Sequence, residues 1–97
     1  MRFKIKFVDR LEQGFIGENY YHSKEAGILF SYSKNTILIL KGMPAGRTRR
    51  TIMHEMIEIV LMMKGMKYHD AHIIANRLEV MRKSEVNKYL KKYGVKI

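Results

Sequence analysis

The stretch His54-Glu55-Met56-Ile57-Glu58 brings an imidazole and two carboxylates together inside an apolar run that includes Ile52, Met53, Ile59, Val60, Leu61, Met62 and Met63. A helix that is apolar on nearly all sides belongs in a core. Burying three ionisable groups there is expensive unless each finds a partner or a metal. On a helix, His54 and Glu58 are four residues apart and share one face, one turn apart, so both reach a single ion. Glu55 is turned about 100° from His54 and about 60° from Glu58. It stands beside such an ion without being a ligand.

This arrangement follows the logic of the H-E-x-x-H zinc motif. There, two ligands stand at i and i+4 and the intervening Glu activates water. Here Glu58 occupies the second ligand position, and carboxylate oxygen is an accepted zinc ligand. The third ligand is expected from Tyr68-His69-Asp70-Ala71-His72, which opens the next helix after a short turn at 64–67. The helix returns antiparallel, bringing its first turn back toward the first helix. We choose His72 over His69 because Ala71 and Ala75 flank it and small neighbours let two helices approach closely. Two His and one Glu leave a fourth position for water, as in catalytic zinc sites. The other polar groups have plainer readings. His22 reads as a loop residue and His69 as a first-turn surface residue. Glu79 reads as an ion-pair partner of Lys83 at i+4, or else as a group that supports or joins the ligands.

Composition narrows the chemistry. The 97 residues contain no cysteine, so any metal must use His and carboxylate ligands; they are expected to form one domain in a reducing cytoplasm. The net charge is +10, with clusters at Arg47, Arg49, Arg50 and at Lys88, Lys91, Lys92. Neither cluster carries a nucleic-acid motif, so the charge is read first as a solvated surface and second as attraction to nucleic acid or an acidic partner. There is no apolar h-region and no run of the roughly 20 apolar residues a membrane span needs.

The elements that must position the site read as strands followed by helices, an α+β order with a small, mainly antiparallel sheet. Arg2–Val8 alternates basic and apolar residues, predicting a strand with Phe3, Ile5 and Phe7 inward. Residues 15–16 are expected to begin a strand, 19–25 to form a loop with Tyr20 and Tyr21 partly buried, and 27–33 to form a strand. Residues 33–35 should turn, and Thr36–Leu40 should form a β-branched, apolar strand. The metal helix is predicted over 49–63, with Thr48 as N-cap and Gly65 just beyond its end. A second helix is predicted over 69–83. A third, capped by Ser84, should carry Val86, Tyr89, Leu90 and Tyr93 on one face and close at Gly94.

From Thr36 to Glu79 the order of features resembles the zincin-like metallopeptidases in a minimal H-E-x-x-E form. An apolar strand at 35–40 precedes a T-x-x-H-E segment, Thr51-Ile-Met-His-Glu55. His72-Ile-Ile-Ala-Asn-Arg-Leu-Glu79 is similar to the downstream pattern of short members from phages and mobile elements. The resemblance implies a zinc-dependent hydrolase of peptide bonds, with His54, Glu58 and His72 on the metal and Glu55 as general base. It also implies that 35–40 is an edge strand holding an extended peptide or protein substrate, and that Tyr68 or His69 stabilises the oxyanion. Two other functions compete: a small basic module binding nucleic acid or protein, and a metal-stabilised domain without turnover.

Overall fold

The computed structural model describes residues 2–97. The fold is α+β, as expected. Three strands, β1 (Lys4–Val8), β2 (Gly17–Asn19) and β3 (Thr36–Leu40), form one sheet in the order β1-β3-β2. The helices are α1 (Tyr20–Ala26), α2 (Ala45–Met63), α3 (Tyr68–Leu78) and α4 (Lys83–Leu90), with short 3-10 turns at Glu12–Gly14 and Lys91–Tyr93. No helix among the described residues is long and apolar enough to cross a membrane.

The sheet is mixed. β1 pairs parallel with β3, Ile5 beside Ile37 and Phe7 beside Ile39, while β2 pairs antiparallel with it, Gly17 beside Ile39. β3 is therefore the central strand, paired on both sides, which corrects its predicted place at the edge. Its sequence explains this: Thr-Ile-Leu-Ile-Leu does not alternate, and Ile37, Leu38 and Ile39 are all buried. A strand buried on both faces reads as a continuous apolar run.

Residues 27–33 do not form the predicted strand; β3 takes its two partners from β1 and β2 instead. The segment runs irregularly. Leu29 is exposed, and Tyr20, Phe30 and Tyr32 pack edge-on against one another. In β1 the strand is as predicted, but the inward face is not. Phe3 is half-buried, while Ile5 and Phe7 are exposed although their register places them level with the buried Ile37 and Ile39. α2 covers β3, where Ile59 packs on Ile37 and Ile39, and leaves the outer strand open.

Residues 20–26 form α1 rather than a loop. Asn19 caps it by accepting the His22 N–H at 3.0 Å, and Gly27 closes it at φ 74°, a left-handed conformation that suits glycine. Tyr20 and Tyr21 are half-buried, as expected.

α2 starts one turn before its predicted position, behind Pro44, so Thr48 lies inside the helix and is not its cap. α3 stops at Leu78, five residues short of the predicted end. Leu78 is its last buried residue; Val80 and Met81 are exposed and would hold no further turn against α2. Most helix stability comes from such packing. α4 carries Val86 and Leu90 inward, and Gly94 closes the turn that follows it.

The core lies on two sides of α2. Ile59 meets the sheet, whereas Ile57, Val60 and Leu61 meet Ala71, Ala75 and Leu78 of α3 and Val86 and Leu90 of α4. Ala71 and Ala75 are fully buried, consistent with their expected role of letting the two helices approach.

Candidate metal centre

A third side of α2 carries Thr51, His54, Glu55 and Glu58, all buried. Regular helical geometry places His54 and Glu58 one turn apart, and the α2–α3 packing brings His72 opposite them. The three ligand atoms converge. His54 Nε2 lies 2.6 Å from Glu58 Oε2, His72 Nδ1 lies 2.7 Å from the same oxygen, and the two ring nitrogens are 3.1 Å apart. These three residues form a group that could hold a metal ion.

Glu58 Oε2 is contacted by both ring nitrogens, and Tyr68 Oη adds a third polar neighbour to His72 Nδ1 at 3.1 Å. A metal bound here would take a lone pair from each of the three groups. Two imidazole nitrogens and one carboxylate oxygen form a donor set that suits zinc, for which such ligands sit at about 2.0–2.2 Å.

Glu79 does not pair with Lys83 among the described residues. Its Oε1 lies 2.8 Å from His54 Nδ1, opposite the nitrogen that faces Glu58. A carboxylate on the far nitrogen of a ligating histidine fixes its tautomer and raises its basicity. Burial opposes charge on His54, but hydrogen bonding to Glu58, the charges of Glu58 and Glu55 and the bond to Glu79 outweigh it, raising its pKa to about 9. Within a chain of net charge +10, this pocket gathers carboxylates.

The opposite wall comes from β2 and α1, and sequence reasoning missed it. Asn19 is fully buried; its Nδ2 donates to Glu55 Oε1 at 2.9 Å and to Glu58 Oε1 at 3.2 Å. Gly17 lies against Glu55. A Cβ there would stand 2.7 Å from Thr51 Cγ2 and 3.1 Å from Glu55 Oε2, so only glycine fits. Burial, and then the charge of Glu58, push the Glu55 carboxyl well above its ordinary range, against the opposing pull of His54 and Asn19.

His22 belongs to this wall and is not a loop residue. Its Nδ1 lies 2.7 Å from Glu18 Oε1, and its ring stacks on Tyr68 at 3.8 Å with Phe15 edge-on at 5.2 Å. Burial works against protonation of His22, but the hydrogen bond and charge of Glu18 prevail and raise its pKa, helped by Glu58 and Glu25. Glu18 is itself buried, and its Oε2 has no partner among the described residues. The one available signal was Asn19 before and Gly27 after a seven-residue segment, which marks a helix and so places His22 on its first turn.

These walls enclose a cavity of about 240 Å³. His22, His54, Glu55, Glu58, Tyr68, His72, Asn76 and Glu79 line it with Phe15, Ile16, Gly17 and Thr51. Burial comes first among the causes that push the Tyr68 phenol above its ordinary value, followed by the charges of Glu58 and Glu55. His69 is exposed and does not line the cavity, which leaves Tyr68 as the nearer of the two predicted helpers. α4 contributes no lining residue. Comparison with protein-family models, with curated proteins and with solved structures found no match to this chain.

Proposed function

We propose that the chain is a zinc-dependent, zincin-like hydrolase of peptide bonds, with His54, Glu58 and His72 holding the metal and Glu55 as the general base. The observation that carries this reading is the pairing of a converging His-Glu-His trio with a separate, positioned carboxylate in one cavity. A metal-stabilised domain has no need for Glu55 beside the trio. Zinc bound there would supply Lewis-acid polarisation of a carbonyl and acidification of water.

The chain's own groups divide the remaining work. Asn19 occupies Glu55 Oε1, so Oε2, beside Gly17, is the oxygen that takes a proton from water in the cavity and delivers it to the leaving amine. A cation on the trio would offset the negative charge of Glu58, one of the causes that raise the pKa of Glu55. Tyr68 and His22 line the same cavity and can donate toward an oxyanion. The central position of β3 removes the peptide-binding edge first assigned to it. β2 takes that role in this proposal: it pairs only with β3, and its Ile16–Gly17 end lines the cavity, so an extended substrate can add alongside it.

The test has two stages. Metal analysis after reconstitution should find stoichiometric zinc. Glu55→Gln should keep that zinc and the fold while hydrolysis of a mixed peptide library falls about 10²–10⁴-fold, the usual contribution of a general base. Equal cleavage by parent and variant would refute the assignment of Glu55. A zinc-loaded parent that cleaves nothing would favour the structural reading.

A further inference from the structure

The two basic clusters of the sequence meet different fates in the fold. Lys92 of the C-terminal cluster lies over the Tyr89 and Tyr93 rings, at 4.3 and 5.2 Å. Arg49 and Arg50 of the other cluster instead stand with Arg82 and Lys83, from the start of α4, around a groove of about 480 Å³. Arg82 bonds Glu85 at 2.9 Å on the open surface, a pair worth little. Arg49, Arg50 and Lys83 have no carboxylate partner among the described residues. Residues more than thirty positions apart thus converge on one positive groove.

Apolar groups join these cations in the groove. Met53, Val80 and Met81 line it, and Val80 is 67% and Met81 37% exposed. The groove also abuts the metal centre: Glu79 lines both hollows, and Arg50 precedes His54 by one turn of α2.

The geometry points to this groove as a docking site for an extended acidic peptide segment whose apolar side chains alternate with Asp or Glu. Cations interspersed with aliphatic and thioether side chains match that pattern. Nucleic acid fits less well, because none of the lining residues is aromatic and so none offers a stacking surface for bases. The site needs no metal. It would feed acidic segments toward the cavity if the hydrolase reading holds, and it stands if that reading fails.

Fluorescence anisotropy on metal-free protein tests this. The probe is a short labelled peptide alternating Glu and Leu, compared with an all-Glu peptide and with a DNA oligonucleotide of equal charge. Arg49→Glu with Arg50→Glu should weaken binding of the Glu–Leu peptide about tenfold or more. Lys88→Glu with Lys91→Glu alters net charge equally and should change it less than about twofold. Val80→Ser should weaken the Glu–Leu peptide and leave the all-Glu peptide unaffected, which a purely electrostatic surface would not produce. Lys83→Glu repeats the first test from the other side of the groove if the arginine variant fails to fold by circular dichroism. Equal losses from both charge reversals would overturn the proposal in favour of net charge alone. Tighter binding of the oligonucleotide, abolished by the arginine reversal, would overturn it in favour of nucleic acid.

Discussion

On the α2–α3 wall of the cavity, His54, Glu58 and His72 meet because two regular helices pack through Ala71 and Ala75; on the β2–α1 wall, Glu18, Asn19 and His22 meet across a strand end and a helix cap. The first wall gathers two ring nitrogens and a carboxylate oxygen at one point, a group that could hold a metal ion. The second supplies hydrogen-bond donors to carboxylates, with Asn19 bridging Glu55 and Glu58. A buried carboxylate is thus held from one side by amide donors and from the other by imidazoles, and the cost of its burial is shared. A wall that could hold a metal and a wall that holds carboxylates should respond differently to substitution.

Removing a ligand should give the largest effect. His54→Ala is expected to abolish stoichiometric zinc in elemental analysis. The variant should also lose the rise in thermal stability on adding zinc, which for the parent is ~2.7 kcal/mol at a free metal concentration about a hundred times Kd. Variant protein that still binds zinc stoichiometrically would dismantle the metal wall.

Asn19→Ala attacks the opposite wall. It strips donors from two buried carboxylates, at about 1–3 kcal/mol, and removes the α1 cap, at ~1 kcal/mol. Denaturant unfolding of metal-free protein should register the loss, while zinc stoichiometry stays unchanged. A variant as stable as the parent would mean that Asn19 organises nothing.

Glu79→Gln is a milder change on the metal wall. The amide oxygen still accepts from His54 Nδ1 but carries no charge. Zinc affinity should fall about tenfold, the low end for loss of a carboxylate behind a ligating histidine. Competition with a chromophoric chelator measures it, and an unchanged affinity would assign Glu79 to structure alone.

The gentlest probe is pH. The pKa of His54 in the folded, metal-free chain is raised from 6.5 to about 9. A raised pKa means that the folded state holds the proton more tightly. The resulting stability is fully present below pH 6.5 and is lost as pH rises through about 9. Zinc requires deprotonated ligands, so its contribution should grow over the same range. Thermal melts from pH 6.5 to about 9 should therefore fall for metal-free protein relative to zinc-loaded protein. Parallel curves would mean that no metal competes for the His54 proton.

The legibility of the two walls in the sequence differs for a physical reason. The i, i+4 spacing of His54 and Glu58 is a local property of any helix, and the polar trio stood out against its apolar neighbours. His72 could be chosen because Ala71 and Ala75 mark a close helix contact. Glu18, Asn19 and His22 carry no such spacing toward Glu55. Asn19 lies 36 residues from Glu55 and reaches it only through the β2–β3 pairing and the packing of β2 on α2. Some misses were nevertheless readable. The unbroken apolar run of β3 argued for a central strand, and Asn19 with Gly27 framed α1.

By itself the sequence determined the α+β order, the span of β3, the end of α2, the absence of thiolate ligands and the pair of α2 side chains that face one point. These follow from composition and local periodicity, which act within a few residues. Tertiary structure alone decided which strand lies at the cavity, that Glu79 backs His54 instead of pairing with Lys83, and that His22 joins the site. It also decided that Arg49 and Arg50 meet Arg82 and Lys83. Each of these depends on which segments far apart in the chain occupy the same space, and that is set by burying Ile57, Ile59 and Leu61 against the sheet and α3 together.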